Sequence, residues 1–238
     1  MKLAATAVSL AAVGALAPVA TSLPWLRRTC LPGLAGIGPT GHVALTYDDG
    51  PDPVSTPHFL ELLRRHDRRA TFFLLGQHIA PHAELVRRMA GEGHELAVHG
   101  WDHRCLALRG SIGRLGDELR RTRDLIEAIT GEQARWYRPP YGVLTTEGVL
   151  AARSAGLQTV LWTTWGRDWS ARATPDSVVR LVRRDLAPGG TVLLHDTDRT
   201  STPGSWRNTL GASETLLAEW ARQGTPVGPL RDHWSATA

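Results

Sequence analysis

The sequence predicts an α/β fold in which about seven parallel strands form a distorted (β/α) barrel with helices on its outside. Short β-type runs alternate with amphipathic segments from about residue 42 to 230, which is the pattern of strand–helix–strand units with a parallel sheet. Five of the apolar runs are followed, just beyond their C-terminal ends, by polar and chemically capable residues. An open sheet gathers its site at one switch point, whereas a barrel brings loops from many strands to one mouth. The five polar strand ends therefore favour the barrel.

The individual elements follow from the periodicity of the apolar residues. Strands are predicted over 42–47, 70–75, 94–98, 136–137, 157–162, 190–194 and, as a short last one, 225–227. Helices are predicted over 53–66, 80–90, 111–130, 145–155, 175–186 and 206–223. Three of these helices end at or beside Gly91, Gly131 and Gly156, as expected because glycine stops helices readily.

The N-terminal part of the chain differs in composition from the rest. Residues 1–26 carry a single charged side chain, Lys2, and are rich in Ala, Val and Leu, as in a signal peptide or a single membrane anchor. We expect residues 1–40 to be this segment plus a Pro/Gly-rich linker, and residues 41–238 to be one folded domain. The expected location is extracytoplasmic, either secreted or membrane-anchored, and the alternative is cytoplasmic.

Charge and cysteine content exclude some classes of protein. The formal net charge is +4, and arginine supplies nearly all of the positive charge because Lys2 is the only lysine. No basic motif interleaved with aromatic residues argues for nucleic acid as a partner. Cys30 and Cys105 are too few for a disulfide framework, and whether they pair stays open. We expect a monomer, with membrane association through the N-terminus as an open alternative.

Two adjacent carboxylates, Asp48 and Asp49, give the strongest functional signal. They stand at the end of the first predicted strand and are followed by a Gly-Pro turn. Neighbouring carboxylates repel each other and are costly to desolvate unless a cation or a proton is shared between them. This strand end therefore predicts a site that holds something positive.

A second signal is the pair of histidines in His99-x-x-x-His103. On a helical turn, residues four apart share a face, so both imidazoles could reach one ion. Two histidines and a carboxylate are a ligand set for Zn²⁺ or a similar metal. Gly100 stands where the His-Glu-x-x-His metalloproteases carry their glutamate base. The base must come from another segment, and the second carboxylate of the aspartate pair is available.

Five segments taken in order resemble the motifs of the polysaccharide deacetylase family. They are Thr46-Tyr47-Asp48-Asp49-Gly50-Pro51, His99-x-x-x-His103, Arg138-Pro139-Pro140-Tyr141-Gly142, Asp168-Trp169 and Leu193-Leu194-His195. This family includes chitin deacetylases, peptidoglycan N-acetylglucosamine deacetylases and acetylxylan esterases. The resemblance covers about residues 42 to 230, makes residues 41–238 the catalytic domain, and implies a metal-dependent deacetylase.

The resemblance also implies roles around the metal. Asp49, His99 and His103 would be the three metal ligands. Asp48 would be the general base, and Arg138 would pair with it and orient it. The metal would be divalent, with Zn²⁺ expected and Co²⁺, Ni²⁺ or Mn²⁺ as alternatives, because this ligand set does not select one of them.

The remaining implied roles concern the leaving group and the pocket. His195 would be the general acid, and Asp168 would be its partner. The backbone N–H of Tyr141 would help to hold the oxyanion. Trp169 would form a wall of the pocket, and Leu193 would line the place of the acetyl group.

The resemblance implies a hydrolase that removes N-acetyl groups from a glycan by attack of a metal-bound water. An esterase that removes O-acetyl groups on the same fold is one alternative, and a non-catalytic carbohydrate-binding protein is another. The partner in each case is an acetylated carbohydrate. Tryptophans near the expected mouth could stack on sugars or could simply pack; they are Trp101, Trp162, Trp165, Trp169 and Trp206.

Overall fold

The computed structural model of the chain describes residues 23–38, 41–105 and 112–233. Within these ranges, eight strands form one sheet in which every pairing is parallel. The strands are β1 (Val43–Asp48), β2 (Thr71–Leu74), β3 (Glu95–Val98), β4 (Trp136–Tyr137), β5 (Gln158–Thr159), β6 (Thr164–Trp165), β7 (Thr191–His195) and β8 (Val227–Gly228).

Eight α-helices lie in the described part of the chain, and most of them connect the strands. They are α1 (Pro24–Cys30), α2 (Thr56–Arg65), α3 (Gly76–Ile79), α4 (Ala83–Gly91), α5 (Ile112–Thr130), α6 (Thr146–Ser154), α7 (Pro175–Asp185) and α8 (Ser205–Gln223). Short 3₁₀ turns cover Ala80–His82, Pro140–Gly142 and Leu230–His233. No helix among the described residues is long and apolar enough to cross a membrane.

The strand order is β5-β4-β3-β2-β1-β7-β6, and β8 pairs with β1 beside this path. Seven parallel strands thus curl into a half-barrel, which confirms the predicted fold class. Over the described residues, no pairing joins β5 to β6, so the barrel is open between these two strands.

Side chains of β1 alternate between two environments, as the period of a strand requires. Leu45 and Tyr47 belong to the main core between the sheet and the helices. Ala44 belongs to a smaller cluster on the other face, and Asp48 at the strand end is also buried. In the register between β1 and β7, Asp48 is the partner of His195. The pairing therefore brings two predicted catalytic residues side by side at the same edge.

Two element predictions were wrong in detail. The predicted strand 157–162 contains only β5, and β6 was not foreseen, because a strand of two residues carries no periodic signal. The predicted helix 80–90 is divided into a 3₁₀ turn and α4, and the short helix α3 that precedes them was not predicted. Pro81 lies in that turn, and proline lacks the N–H that an uninterrupted helix would need there.

The N-terminal segment packs against the barrel where it is described. The sequence placed residues 1–40 outside the folded domain, but the Leu34 carbonyl accepts a hydrogen bond from the N–H of Leu161 at 2.8 Å. The Gly38 N–H likewise donates to the Gly189 carbonyl at 2.9 Å. Residues 31–38 are therefore not a free linker, whereas the boundary at residue 40 stays a prediction. Most of the predicted signal or anchor segment lies outside the described residues.

Cys30 and Cys105 are both free thiols.

Candidate active site

A cavity of about 360 Å³ opens at the carboxyl ends of the strands, a size that suits a small-molecule site. The residues that line it are Asp48, His99, His103, Pro139, Tyr141, Gly142, Trp162, Trp165, Trp169, Leu193, His195 and Thr200. Seven of the ten residues predicted from the sequence are in this lining. The other three, Asp49, Arg138 and Asp168, are buried directly behind it.

Asp49, His99 and His103 offer three ligand atoms that lie within 4.8 Å of one another. Oδ1 of Asp49 lies 3.2 Å from Nε2 of His99 and 3.3 Å from Nε2 of His103. This buried oxygen has no hydrogen-bond partner, while Oδ2 accepts a hydrogen bond from the hydroxyl of Thr200. A buried carboxylate oxygen without a donor, facing two imidazoles, is what a bound cation would satisfy. The three residues fit a divalent metal.

The orientation of His99 is set by the chain behind it. Its Nδ1 lies 2.8 Å from the carbonyl oxygen of Arg138. Because a carbonyl can only accept, Nδ1 carries the proton and Nε2 presents its lone pair towards Asp49 in the neutral ring. Such a backbone partner behind a ligating histidine is the usual way in which metal sites orient their imidazoles.

His103 reaches the site by a route that the sequence did not predict. Residues 99–103 form a loop instead of a helical turn. The expectation that His99 and His103 share one face of a helical turn is therefore wrong. The backbone turns at Gly100, where φ is 102°, and at His103, where φ is 59°. A non-glycine residue in this left-handed region is strained, and such strain concentrates at functional sites. Asp49 is in the same region, with φ of 78°.

The surroundings of these three residues favour the ionised form of Asp49 and the neutral form of His103. Burial acts to raise the pKa of Asp49, but the imidazoles of His99, His195 and His103 outweigh it and hold this pKa below its ordinary value. Burial, followed by the charge of His99, lowers the pKa of His103 to about 4. The His103 ring is therefore neutral near pH 7, which is the form that binds a metal.

Asp48 is held by a fully buried guanidinium. Nη1 of Arg138 donates to Oδ1 of Asp48 at 2.7 Å and to the hydroxyl oxygen of Thr46 at 2.8 Å. Nη2 donates to the carbonyl of Leu161 at 2.9 Å. The other oxygen of Asp48 lies 3.9 Å from Nε2 of His99. Asp48 thus faces the metal triad with one oxygen and is fixed through the other, which suits it to accept a proton there.

His195 is held from behind by Asp168. Nδ1 of His195 lies 3.0 Å from Oδ1 of Asp168, and its backbone N–H donates to Oδ2 at 2.7 Å. Burial acts to lower the pKa of His195, but the charge and hydrogen bond of Asp168, followed by the charges of Asp49 and Asp48, raise it to about 10. The imidazole is therefore protonated near pH 7 and can act as a proton donor to the cavity.

Three tryptophans form one side of the cavity. The ring centroids of Trp162 and Trp165 lie 5.8 Å apart, and those of Trp165 and Trp169 lie 6.3 Å apart. Two other tryptophans that the sequence placed near the mouth do not line the cavity. Trp101 packs under a guanidinium, and Trp206 stacks on an imidazole.

The remaining predicted residues complete the cavity wall. The side chain of Tyr141 is 65% exposed, its ring lies 4.6 Å from that of His103, and its φ of 60° is again left-handed. Leu193 is buried beside His195. The structure thus brings all ten predicted residues to one cavity, while their individual roles stay predictions.

Sequence reasoning missed three hydroxyl groups. Thr46 accepts from Arg138, Thr200 donates to Asp49, and Thr209 donates to Oδ2 of Asp168 at 2.9 Å. Thr200 follows β7 and could have been found by the rule that sites collect after strand ends. Thr46 and Thr209 lie within a strand and a helix, and no local pattern marks them.

Comparison with known proteins agrees with this geometry. The family model described as polysaccharide deacetylase matches residues 35–160. A chitooligosaccharide deacetylase from a Bradyrhizobium strain is 38% identical over 198 residues, which cover 80% of this chain and 90% of that protein.

Two solved structures share the fold. A family 4 carbohydrate esterase from Streptomyces lividans in complex with acetate is 32% identical, with a TM-score of 0.70 over 79% of this chain and 92% of that one. A CE4 family pseudoenzyme from Bacillus anthracis is 30% identical, with a TM-score of 0.72 over 82% of this chain and 66% of that one. With these matches and the assembled site, the chain belongs to the polysaccharide deacetylase family and is a carbohydrate deacetylase.

Proposed function

We propose that this protein removes N-acetyl groups from an N-acetylated glycan, with a divalent metal held by Asp49, His99 and His103. The single observation that supports this best is the pairing of two different proton-transfer groups in one cavity. Asp48 is a proton acceptor held by Arg138, and His195 is a protonated donor. Hydrolysis of an amide needs both of them.

The metal site contributes charge. A divalent ion bound there would polarise the acetyl carbonyl and make a nearby water easier to deprotonate. Zn²⁺ is our first choice, and Co²⁺, Ni²⁺ or Mn²⁺ are the alternatives, because two imidazoles and a carboxylate accept each of them. The ligand nitrogen of His99 is aimed by the carbonyl of Arg138, and the three ligand atoms already lie within 4.8 Å of one another.

Asp48 acts on the attacking water in this proposal. Its second oxygen faces the metal triad, and Arg138 prevents the carboxylate from rotating away. A carboxylate in this position takes a proton from the water as the water attacks the acetyl carbon. A positioned base of this kind typically contributes 10²- to 10⁴-fold in rate.

His195 acts on the leaving group. An amide nitrogen leaves poorly unless it is protonated, and Asp168 keeps the His195 imidazole protonated near pH 7. The imidazolium would donate its proton to the leaving amine. An ester oxygen needs this donation less. The strongly held acid therefore favours N-acetyl substrates, although the alternative of O-acetyl substrates remains open because the S. lividans neighbour is described as a carbohydrate esterase.

The tryptophan side of the cavity supports a carbohydrate as the substrate. Trp162, Trp165 and Trp169 present large amphipathic faces next to the metal triad, and aromatic faces pack well against sugar rings. The chitooligosaccharide deacetylase from Bradyrhizobium is named for an N-acetylated oligosaccharide. We therefore take chitin oligosaccharides as the first substrates to test.

We also propose that the protein works outside the cytoplasm as a monomer, either secreted or anchored through residues 1–26. The support is the composition of this segment, which carries one charged residue. A cytoplasmic location is the alternative.

The decisive experiment measures acetate release and bound metal on the same preparation. Chitin oligosaccharides and an O-acetylated xylan are offered at equal acetyl concentration, with the Asp48→Asn variant as the control. The proposal predicts one metal per chain and faster release from the amide. Faster release from the xylan would support the esterase, and no release from either would overturn the choice of both substrates.

A further inference from the structure

The open side of the barrel is covered by the N-terminal segment. β5 and β6 do not pair over the described residues, and the chain between them passes through Leu161 and Trp162. The Leu34 carbonyl accepts from the N–H of Leu161 at 2.8 Å. From α1, Arg27 donates to the carbonyl of Trp162 at 2.7 Å, and Arg28 donates to the carbonyl of Thr163. Residues that precede the family match, which begins at residue 35, thus satisfy backbone groups of the barrel.

Arg27 contacts Trp162 in two ways. Besides the hydrogen bond, the guanidinium carbon lies 5.3 Å from the centroid of the indole ring, which is within the range of a cation–π contact. The side chain of Arg27 is buried, with 4% of its surface exposed. The two contacts involve the backbone and the ring of the same residue, so they restrict both the position and the rotation of the indole.

Trp162 in turn is part of the active-site cavity. Its ring lines the cavity beside Trp165, and a Cβ built on Gly142 would lie only 2.5 Å from the ring. The indole therefore packs closely against the loop that carries Tyr141. The guanidinium carbon of Arg138 lies 5.9 Å from the same ring centroid. The indole of Trp162 therefore contacts two arginines, Arg138, which holds Asp48, and Arg27 from α1.

Arg27 is not the only residue that closes the gap in the barrel. Leu34 and Arg28 already satisfy backbone groups of the gap, and Arg28 also donates to the carbonyl of Asp185 at 2.9 Å. Burying Arg27 near two other guanidiniums is unfavourable: burial, followed by the charges of Arg28 and Arg138, lowers its pKa to about 10. A buried charge retained at a cost in stability points to a specific positional role.

We propose that Arg27 is a positioning residue that holds the indole of Trp162 in place as a wall of the glycan-binding cavity. This inference rests on the proposed function of that cavity. It makes α1 part of the working enzyme, so processing of the N-terminus must leave residues from Pro24 onwards attached to the barrel.

The test compares Arg27→Ala, Arg27→Lys and the matched control Arg28→Ala in the full-length, zinc-loaded protein. Arg28 lies on the same helix and bonds to the same gap, but it donates to Thr163 and Asp185 instead of to Trp162. Arg27→Ala should raise KM for a chitin oligosaccharide about tenfold, or about 1.4 kcal/mol of lost binding, with kcat within about twofold. The KM of Arg27→Lys should fall between those of Arg27→Ala and the wild type, because lysine keeps a cation near the Trp162 ring.

A second measurement does not depend on activity. The indole N–H signal of Trp162, assigned in a proton–nitrogen NMR spectrum with Trp162→Phe, should shift or broaden in Arg27→Ala and stay in place in Arg28→Ala. If the wild type releases no acetate, the proposed function fails, and this signal still decides the role of Arg27.

Two results would overturn the inference. One is an unmoved Trp162 signal in Arg27→Ala. The other is equal behaviour of the Arg27→Ala and Arg28→Ala variants. Both would then show a lower melting temperature and a smaller active fraction than the wild type, but the same KM. A role of Arg27 in stability alone would produce this result.

Discussion

The charge of Asp168 should decide the pH range in which the enzyme works. Asp168→Asn removes the charge that raises the pKa of the His195 imidazole to about 10, and its single acceptor oxygen can serve either the Nδ1 proton or the backbone N–H of His195. Without that charge we expect the pKa to fall to its ordinary value of about 6.5 or below. At pH 8 the protonated fraction would then drop from about 99% to about 3%, which is a loss of about 30-fold in the acid form. At pH 5.5 the His195 imidazole would be mostly protonated in both proteins, so their rates should converge.

The assay is acetate release from a chitin oligosaccharide between pH 5.5 and 10, with metal content measured at each pH. The alkaline limb of the profile should move to lower pH in Asp168→Asn, because the general acid loses its proton earlier. Thr209→Val is the control: it removes one hydrogen bond to Oδ2 of Asp168 but leaves the charge, so its alkaline limb should stay in place. An alkaline limb that is the same in Asp168→Asn and in the wild type would refute the assignment of His195 as the acid.

Three further outcomes are expected. Asp49→Asn should lose the metal together with activity, whereas Asp48→Asn should keep the metal and lose about 10²- to 10⁴-fold in kcat; equal loss of metal from both variants, measured by elemental analysis, would contradict the division of roles. Gly142→Ala should lower both the melting temperature and the affinity for the oligosaccharide, because its Cβ would meet the Trp162 ring at 2.5 Å and φ there is 66°; unchanged values would show that the ring moves freely. Fractionation of cells should place the full-length protein outside the cytoplasm if residues 1–26 direct export, and recovery wholly in the soluble cytoplasm would disprove this.

Sequence reasoning found the chemistry of the site because that chemistry is local. Asp48 ends one strand and is followed by Asp49, and His195 ends another strand. In a parallel sheet with short connections, all such ends reach the same edge. The alternation of β1 side chains between two clusters also follows from its period of two, and all six residues are buried because both faces of the strand are covered. For these reasons the residue types, their order and the barrel class could be predicted from the sequence.

Other features depend on contacts between distant parts of the chain, and only the tertiary structure decided them. Which nitrogen of His99 faces Asp49 depends on the carbonyl of Arg138, 39 residues away. The contact of Arg27 with Trp162 spans 135 residues and exists because the sheet stays open between β5 and β6. Neither contact leaves a periodic signal, since each is set by the curvature of the sheet and by the way the segments around it pack. The sequence by itself determined which groups reach the mouth of the barrel, and the folded chain determined how each of them is aimed.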